Sequence, residues 1–325
     1  MSAENPPKMP PPLPGSADAT NEFEDLSGVD TRRHANPYDA LIEACQNDPT
    51  LIGARYATHR TTRNSQQKAK LLSPEFSGLA IDLILQRMEN PIIEPGYSDP
   101  RHCLVFWARP TPQILALAGE VQEKLLRIAP KIWLMPAQRM HLTALEITHS
   151  LADPEIHRII AALGPEAIAK MTDYTCAHRA RLYKPMVSYD SSALALSFLP
   201  TIGSVLSEDG TPNTTSNFTY HHLRRDLFNI ASATGVGVDS RYVVPSSHIT
   251  LARFLVQEDH DTPEKMKAFI EGIEAINAWL EAKFWPVDGE DRALEWVVGE
   301  KKGLDCREGQ LWYGGGNTVR LGKGF

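Results

Sequence analysis

"MHLTALEI", residues 140–147, and "SHITLARF", residues 247–254, decide how this chain is read. Each is a short apolar run with a histidine at its start and a threonine two residues later. In an extended strand alternate side chains share a face. His141, Thr143 and Leu145 are therefore expected together on one face, and so are His248, Thr250 and Ala252. A strand readily hosts threonine, and a single histidine there is commonly satisfied by a backbone carbonyl. Two copies in matching settings ask for another explanation.

The surroundings do match. Before the first copy, residues 103–109 form a β-rich run, and Thr111 then caps a helix with Pro112 in its first turn. That helix carries an apolar stripe at Ile114, Leu117, Val121, Leu125 and Ile128. The strand "IWLMPAQRMHLTALEI" follows, and Asp153 and Pro154 open the helix "DPEIHRIIAAL". In the second half, "ARLYKPMVSY" and "SALALSFLP" read as adjacent strands, followed by the polar loop "SEDGTPNTTSN" and the helix "FTYHHLRRDLFNIASAT". The strand "SRYVVPSSHITLARFL" and a long helix opened by Thr262 and Pro263 come next. In both halves a proline precedes the H-x-T, and the next helix begins Pro-Glu, 13 residues after His141 and 15 after His248. This is internal duplication at the level of supersecondary units in an α+β chain, with lobes at about 99–175 and 176–325. The C-terminal stretch from Glu295 reads as two or three strands extending the second lobe.

Upstream, six of the 24 prolines fall in the first 14 residues, so 1–36 is expected to be a disordered tail. Residues 37–98 are expected to be a helical extension, an accessory layer on the main domain. At 325 residues and 42% hydrophobic content the chain can bury a substantial core. A formal charge of −7 gives no general attraction to a long nucleic-acid duplex. The basic runs "RARLYK" and "HHLRR" read as solvated faces that could hold one or two phosphates. Cys45, Cys103, Cys176 and Cys306 form no C-x-x-C pair, which predicts reduced thiols rather than a zinc knuckle or redox motif. No apolar run reaches the ~20 residues of a membrane span. An intracellular protein, cytoplasmic or nuclear, acting as a monomer without contact to membrane, is the expectation.

H-x-T alone is weak: "HRT" at His59 and "HDT" at His260 also match. Only His141 and His248 have an aliphatic middle residue and run on into an apolar strand. If the halves are related by a pseudo-two-fold, the four side chains converge between them. Two imidazoles at one polar site suit phosphodiester chemistry. One neutral ring takes a proton from water or a hydroxyl, the other, protonated, gives one to the leaving oxygen, and threonine hydroxyls donate to the non-bridging oxygens. This scheme needs neither metal nor cofactor.

The paired "HLTALEI" and "HITLARF" resemble the two signature motifs of the two-histidine (2H) phosphoesterases, which include cyclic nucleotide phosphodiesterases and the bacterial RNA 2′,5′-ligase group. The resemblance covers about residues 100–325. It implies a bilobal fold of antiparallel sheets flanked by helices, with His141 and His248 as the catalytic acid/base pair and Thr143 and Thr250 binding the phosphate. Alternation turns Glu146 away from the histidine face. It places Arg253 opposite His248 as well, where the arginine is either a substrate contact or half of a surface salt bridge.

A nucleobase would need an aromatic platform, for which Tyr183, Tyr242, Trp312 and Tyr313 are candidates. "YGGG" at 313–316 lacks the lysine and serine of a phosphate loop and reads as a hairpin turn. The expected activity is hydrolysis of a 2′,3′-cyclic phosphate or a related nucleotide or short RNA-end phosphodiester. Alternatives are a non-catalytic nucleotide-binding module and an RNA 3′-end exonuclease.

Overall fold

In the computed structural model, which describes residues 24–207, 210–213, 216–286 and 294–325, the β-rich runs become strands that pair antiparallel. Part of the loop "SEDGTPNTTSN" and most of the expected tail, residues 1–23, lie outside the described residues. The strands are β1 (His102–Ala108), β2 (Trp133–Leu134), β3 (Leu142–Leu151), β4 (His178–Tyr189), β5 (Ala193–Leu206), β6 (Pro212–Asn213), β7 (His248–Arg253), β8 (Trp296–Val297), β9 (Leu304–Gly309) and β10 (Asn317–Leu321). They form one connected sheet in the order β10-β9-β1-β3-β7-β5-β4-β8, with β2 against β7 and β6 against β5. The two H-x-T strands, β3 and β7, are its central neighbours.

Among the described residues seven α-helices flank the sheet: α1 (Asp39–Ala44), α2 (Pro49–Leu71), α3 (Leu83–Glu89), α4 (Pro112–Ile128), α5 (Asp153–Thr172), α6 (Tyr220–Ser232) and α7 (Pro263–Phe284). The starts of α4 and α7 follow the sequence signals. Thr111 Oγ1 accepts from the Ile114 N–H and Thr262 Oγ1 from the Lys265 N–H, each with proline in the first turn. The α4 stripe is buried at Ile114, Leu117, Val121 and Leu125.

Four expectations need correction. Residues 24–36 are no tail: Ser27 and Asn36 are buried, and the Leu26 N–H donates to His59 Nδ1 at 3.1 Å. The C-terminal stretch does not simply extend the second lobe. Only β8 pairs there, with β4, whereas β9 crosses back to β1, whose apolar edge would otherwise stand unpaired. The "HHLRR" run is no solvated face, since His221, His222 and Arg224 are buried on α6. His221 bridges Tyr56 Oη and the Tyr38 carbonyl, which satisfies both ring nitrogens inside the core.

The fourth correction concerns the strand faces. Across β1 and β3, Trp107 faces Thr143 and Phe106 faces Leu145, leaving Ala144 as an extra residue. Across β5 and β7, Ala195 faces Thr250 and Leu194 faces Ala252, leaving Leu251 extra. Each is a β-bulge, and each slips the alternation by one. Leu145 and Ala252 therefore enter the core, while Glu146 and Arg253 turn onto the side of the histidines. Carbonyls freed at the bulges find partners elsewhere. Arg224 Nε donates to Ala144 O at 3.3 Å, and the Met135 N–H and Gln122 Nε2 both donate to Leu251 O at 2.9 Å.

Candidate active site

Strands β3 and β7 share one register pair, Leu142 opposite Ile249. Antiparallel counting outward from it sets His141 across from Thr250 and Thr143 across from His248. The two H-x-T motifs thus interlock head to tail, and all four side chains line one pocket. Its rim and walls add Trp107, Glu146, Arg241, Tyr242, Arg253 and Trp312.

The two rings are held differently. His141 Nδ1 lies 2.8 Å from the Arg139 carbonyl oxygen, which can only accept, so the neutral ring carries its proton on Nδ1. That leaves Nε2 as a lone-pair acceptor in the pocket. Trp107 stacks on the His141 ring, centroids 3.7 Å apart at 13°. His248 Nδ1 lies 2.9 Å from Ser246 Oγ, a hydroxyl that can donate or accept. Its ring can therefore present Nε2 to the pocket with or without a proton.

Burial is the main reason both imidazoles stay neutral. It pulls His141 down to about 3, and Arg109 and Arg307 push the same way. His248 is pulled down to about 4 by burial, with Arg63 and Arg224 adding to the effect and Asp190 opposing it. An anion placed between the rings would oppose the cations and favour protonation.

Carboxylates anchor most of the surrounding guanidiniums. Arg241 makes a two-pronged contact with Glu146, through Nη2 to Oε1 at 2.6 Å and Nε to Oε2 at 3.2 Å. Arg109 reaches Asp305 Oδ2 from Nε at 3.0 Å and Nη2 at 2.9 Å, beside the Trp107 ring. Arg253 Nη1 lies 3.2 Å from Asp82 Oδ2, and Asp82 also caps α3 and accepts from Tyr313 Oη. The Arg253 salt bridge is therefore buried, not at the surface, and the arginine still borders the pocket.

Of the residues singled out in the sequence, His141, Thr143, His248, Thr250, Arg253 and Tyr242 come together. Tyr183 does not. It sits on β4, its ring under Lys184 Nζ at 5.2 Å, and borders neither pocket at the histidines. Trp312 borders the site and Tyr313 is buried behind it. Sequence reading missed Trp107, Glu146 and Arg241. Trp107 hid in a run that reads as core, and Glu146 required the bulge. Arg241 comes from a loop with no local signal.

A second pocket opens on the other side of β7 and shares His248, Thr250, Arg253 and Tyr242 with the first. Its far wall comes from α2, a helix whose polar character gave no hint of such a role. Gly53 allows the close approach, since a Cβ there would lie 3.1 Å from the Pro200 carbonyl oxygen on β5. Among the described residues no group of three or more His, Cys, Asp or Glu could hold a metal ion, and no helix is long and apolar enough to cross a membrane. The four cysteines are free thiols.

No family model matches the chain, and no curated protein matches it. Among solved structures, the crystal structure of TT0787 of Thermus thermophilus is similar at 16% identity and a TM-score of 0.36, over 67% of this chain and 96% of that one.

Proposed function

We propose that this protein is a two-histidine phosphoesterase that hydrolyses a 2′,3′-cyclic phosphate, or a related nucleotide or RNA-end phosphodiester, without a metal. The observation that carries this reading is the head-to-tail interlock of the two motifs, with two imidazoles and two threonines lining one pocket. A binding module would need the hydroxyls and cations. It would have no use for two proton-transfer groups.

His141 is the base in this scheme, because its Nδ1–H is committed to Arg139 O and its Nε2 is free to accept. It takes a proton from water as the water oxygen bonds to phosphorus. His248 is the acid: once protonated beside the bound phosphate, it delivers its Nε2 proton to the leaving 3′-oxygen as that P–O bond breaks. The product is a 2′-phosphate. His141 ends the step protonated and His248 neutral, and proton exchange with water resets both. Thr143 and Thr250 donate to the non-bridging oxygens, where charge grows.

The duplicated-lobe reading belongs to the same proposal. Its support is that each strand carries His, Thr and a bulge in the same order, so that the fifth residue after each histidine, Glu146 or Arg253, returns to the site.

Turnover of cyclic mononucleotides and cyclic-phosphate-ended RNA by the purified protein, with phosphorus NMR of the product, tests the reading. H141A and H248A are each expected to lose about two to four orders of magnitude, and the double variant little more than the worse single one. Activity should survive exhaustive chelation. Losses that multiply fully, or a 3′-phosphate product, would reject the scheme.

A further inference from the structure

The pocket on the α2 side of His248 is larger than the one between the two histidines, and the mechanism above uses only His248 and Thr250, which the two pockets share. Its walls mix Tyr189, Ala193, Ala195 and Val244 with the hydroxyls of Ser188, Ser197 and Ser246. Three residues of α2 close it, His59, Arg60 and Arg63, and the exposed Glu24 also lines it without pairing with Arg60. Arg63 is matched, with Nη2 lying 2.6 Å from Asp190 Oδ2. Asp190 is further occupied by the Ser192 and Ala193 N–H groups and the Ser192 hydroxyl.

Arg60 is different. Its residue is 5% exposed, yet no carboxylate lies within ion-pair distance among the described residues. Its hydrogen bonds run from Nη1 alone, to Lys184 O at 2.7 Å and Ser197 O at 3.5 Å. The buried Nε has no partner among the described residues. Burial without a counter-charge pulls this guanidinium down to about 10. A buried cation with no carboxylate beside it is costly even though its guanidinium carbon lies 5.4 Å from the centre of the Trp285 ring, and its Nε/Nη2 edge, which makes no hydrogen bond among the described residues, has the fork geometry that suits a phosphate or carboxylate.

We propose that this pocket is a second anion subsite, in which Arg60 binds a phosphate of the substrate other than the one cleaved. Resting on the phosphodiester reading of the His141/His248 face, the inference narrows the substrate to a nucleotide with at least two phosphate groups. Because the two pockets share the His248, Thr250 and Arg253 wall, the second phosphate lies within one nucleoside of the first. On a nucleoside whose 2′,3′-oxygens sit at the histidines, that is the 5′-phosphate. Helix α2 is then a specificity element, and the residues before the two motifs have a part in substrate choice.

Calorimetric titration of the full chain with adenosine 2′-monophosphate and adenosine 2′,5′-bisphosphate tests this. Wild-type protein should prefer the bisphosphate by at least about tenfold, the scale of a charge-assisted bidentate contact. R60M should lose that preference, and R60K, which keeps a charge but lacks the fork, should lose most of it. H141A should keep it. Equal affinity of the wild-type protein for the two ligands would overturn the subsite, as would a preference that R60M and R60K retain. Preference without turnover of any phosphodiester would leave the subsite standing and sink the catalytic reading instead.

Discussion

Trp107 lies flat on His141, with ring centroids 3.7 Å apart and an angle of 13° between the planes. The stack fixes the ring about the one axis that the Nδ1 bond to Arg139 O leaves free. Aromatic pairs contribute about 0.5–1.5 kcal/mol beyond area burial, so W107L should lower kcat/KM by up to about tenfold while W107F loses less. Steady-state kinetics of the two variants decide this. If both match the wild type, the stack is only packing.

Stability should fall steeply in mild acid. His141 and His221 are held down to about 3, and His59, His222, His248 and His260 to about 4, in each case mainly by burial. Unfolded histidines titrate near 6.5, so between that value and about 4 the unfolded chain binds more protons than the folded one. Stability from these groups is complete above about pH 6.5 and is lost as pH falls towards 4. Urea midpoints between about pH 7.5 and 4.5 measure it. A flat profile would show that these histidines take up protons as readily in the fold as in the unfolded chain.

Glu146 is buried and its carboxylate is matched by Arg241. Breaking a buried pair at one end strands the other charge, at a cost of about 3–5 kcal/mol. R241M should therefore destabilise the protein strongly, and the double variant E146Q/R241M should recover much of the loss. Denaturant unfolding of both supplies the comparison, and equal midpoints would mean that Glu146 has adequate solvation without Arg241.

Tyr220 Oη donates to Thr143 O at 2.7 Å, on the strand edge where β3 has parted from β7. Y220F removes that bond and keeps the ring. It should cost about 1–2 kcal/mol and reduce turnover through Thr143, with the loss in kcat rather than KM. Unchanged kcat would leave Tyr220 a purely structural contact.

Much of the site was legible because it rests on short-range rules. The H-x-T alternation brings His141 and Thr143 to one face, and His248 and Thr250 to one face, without knowledge of the rest of the chain. The proline and threonine signals placed α4 and α7 correctly. What was lost depends on non-local geometry. A bulge is a property of two strands, so Glu146 and Arg253 read as facing away. The return of β9 to the edge of β1 spans roughly 200 residues and leaves no trace in local pattern. Helix α2 was obscured because the face it presents inward carries His59 and Arg60, which reads as exposed by hydropathy.

The single Leu142/Ile249 pair that closes the middle of the sheet joins residues 107 positions apart in the chain. Bringing such distant segments together costs loop entropy that is recovered only when both motifs have docked, and contacts of that kind form slowly. During refolding the helical far-ultraviolet signal should return first and turnover last. A newly made chain would remain inert until its C-terminal half had been synthesised, however well its first histidine strand had already folded.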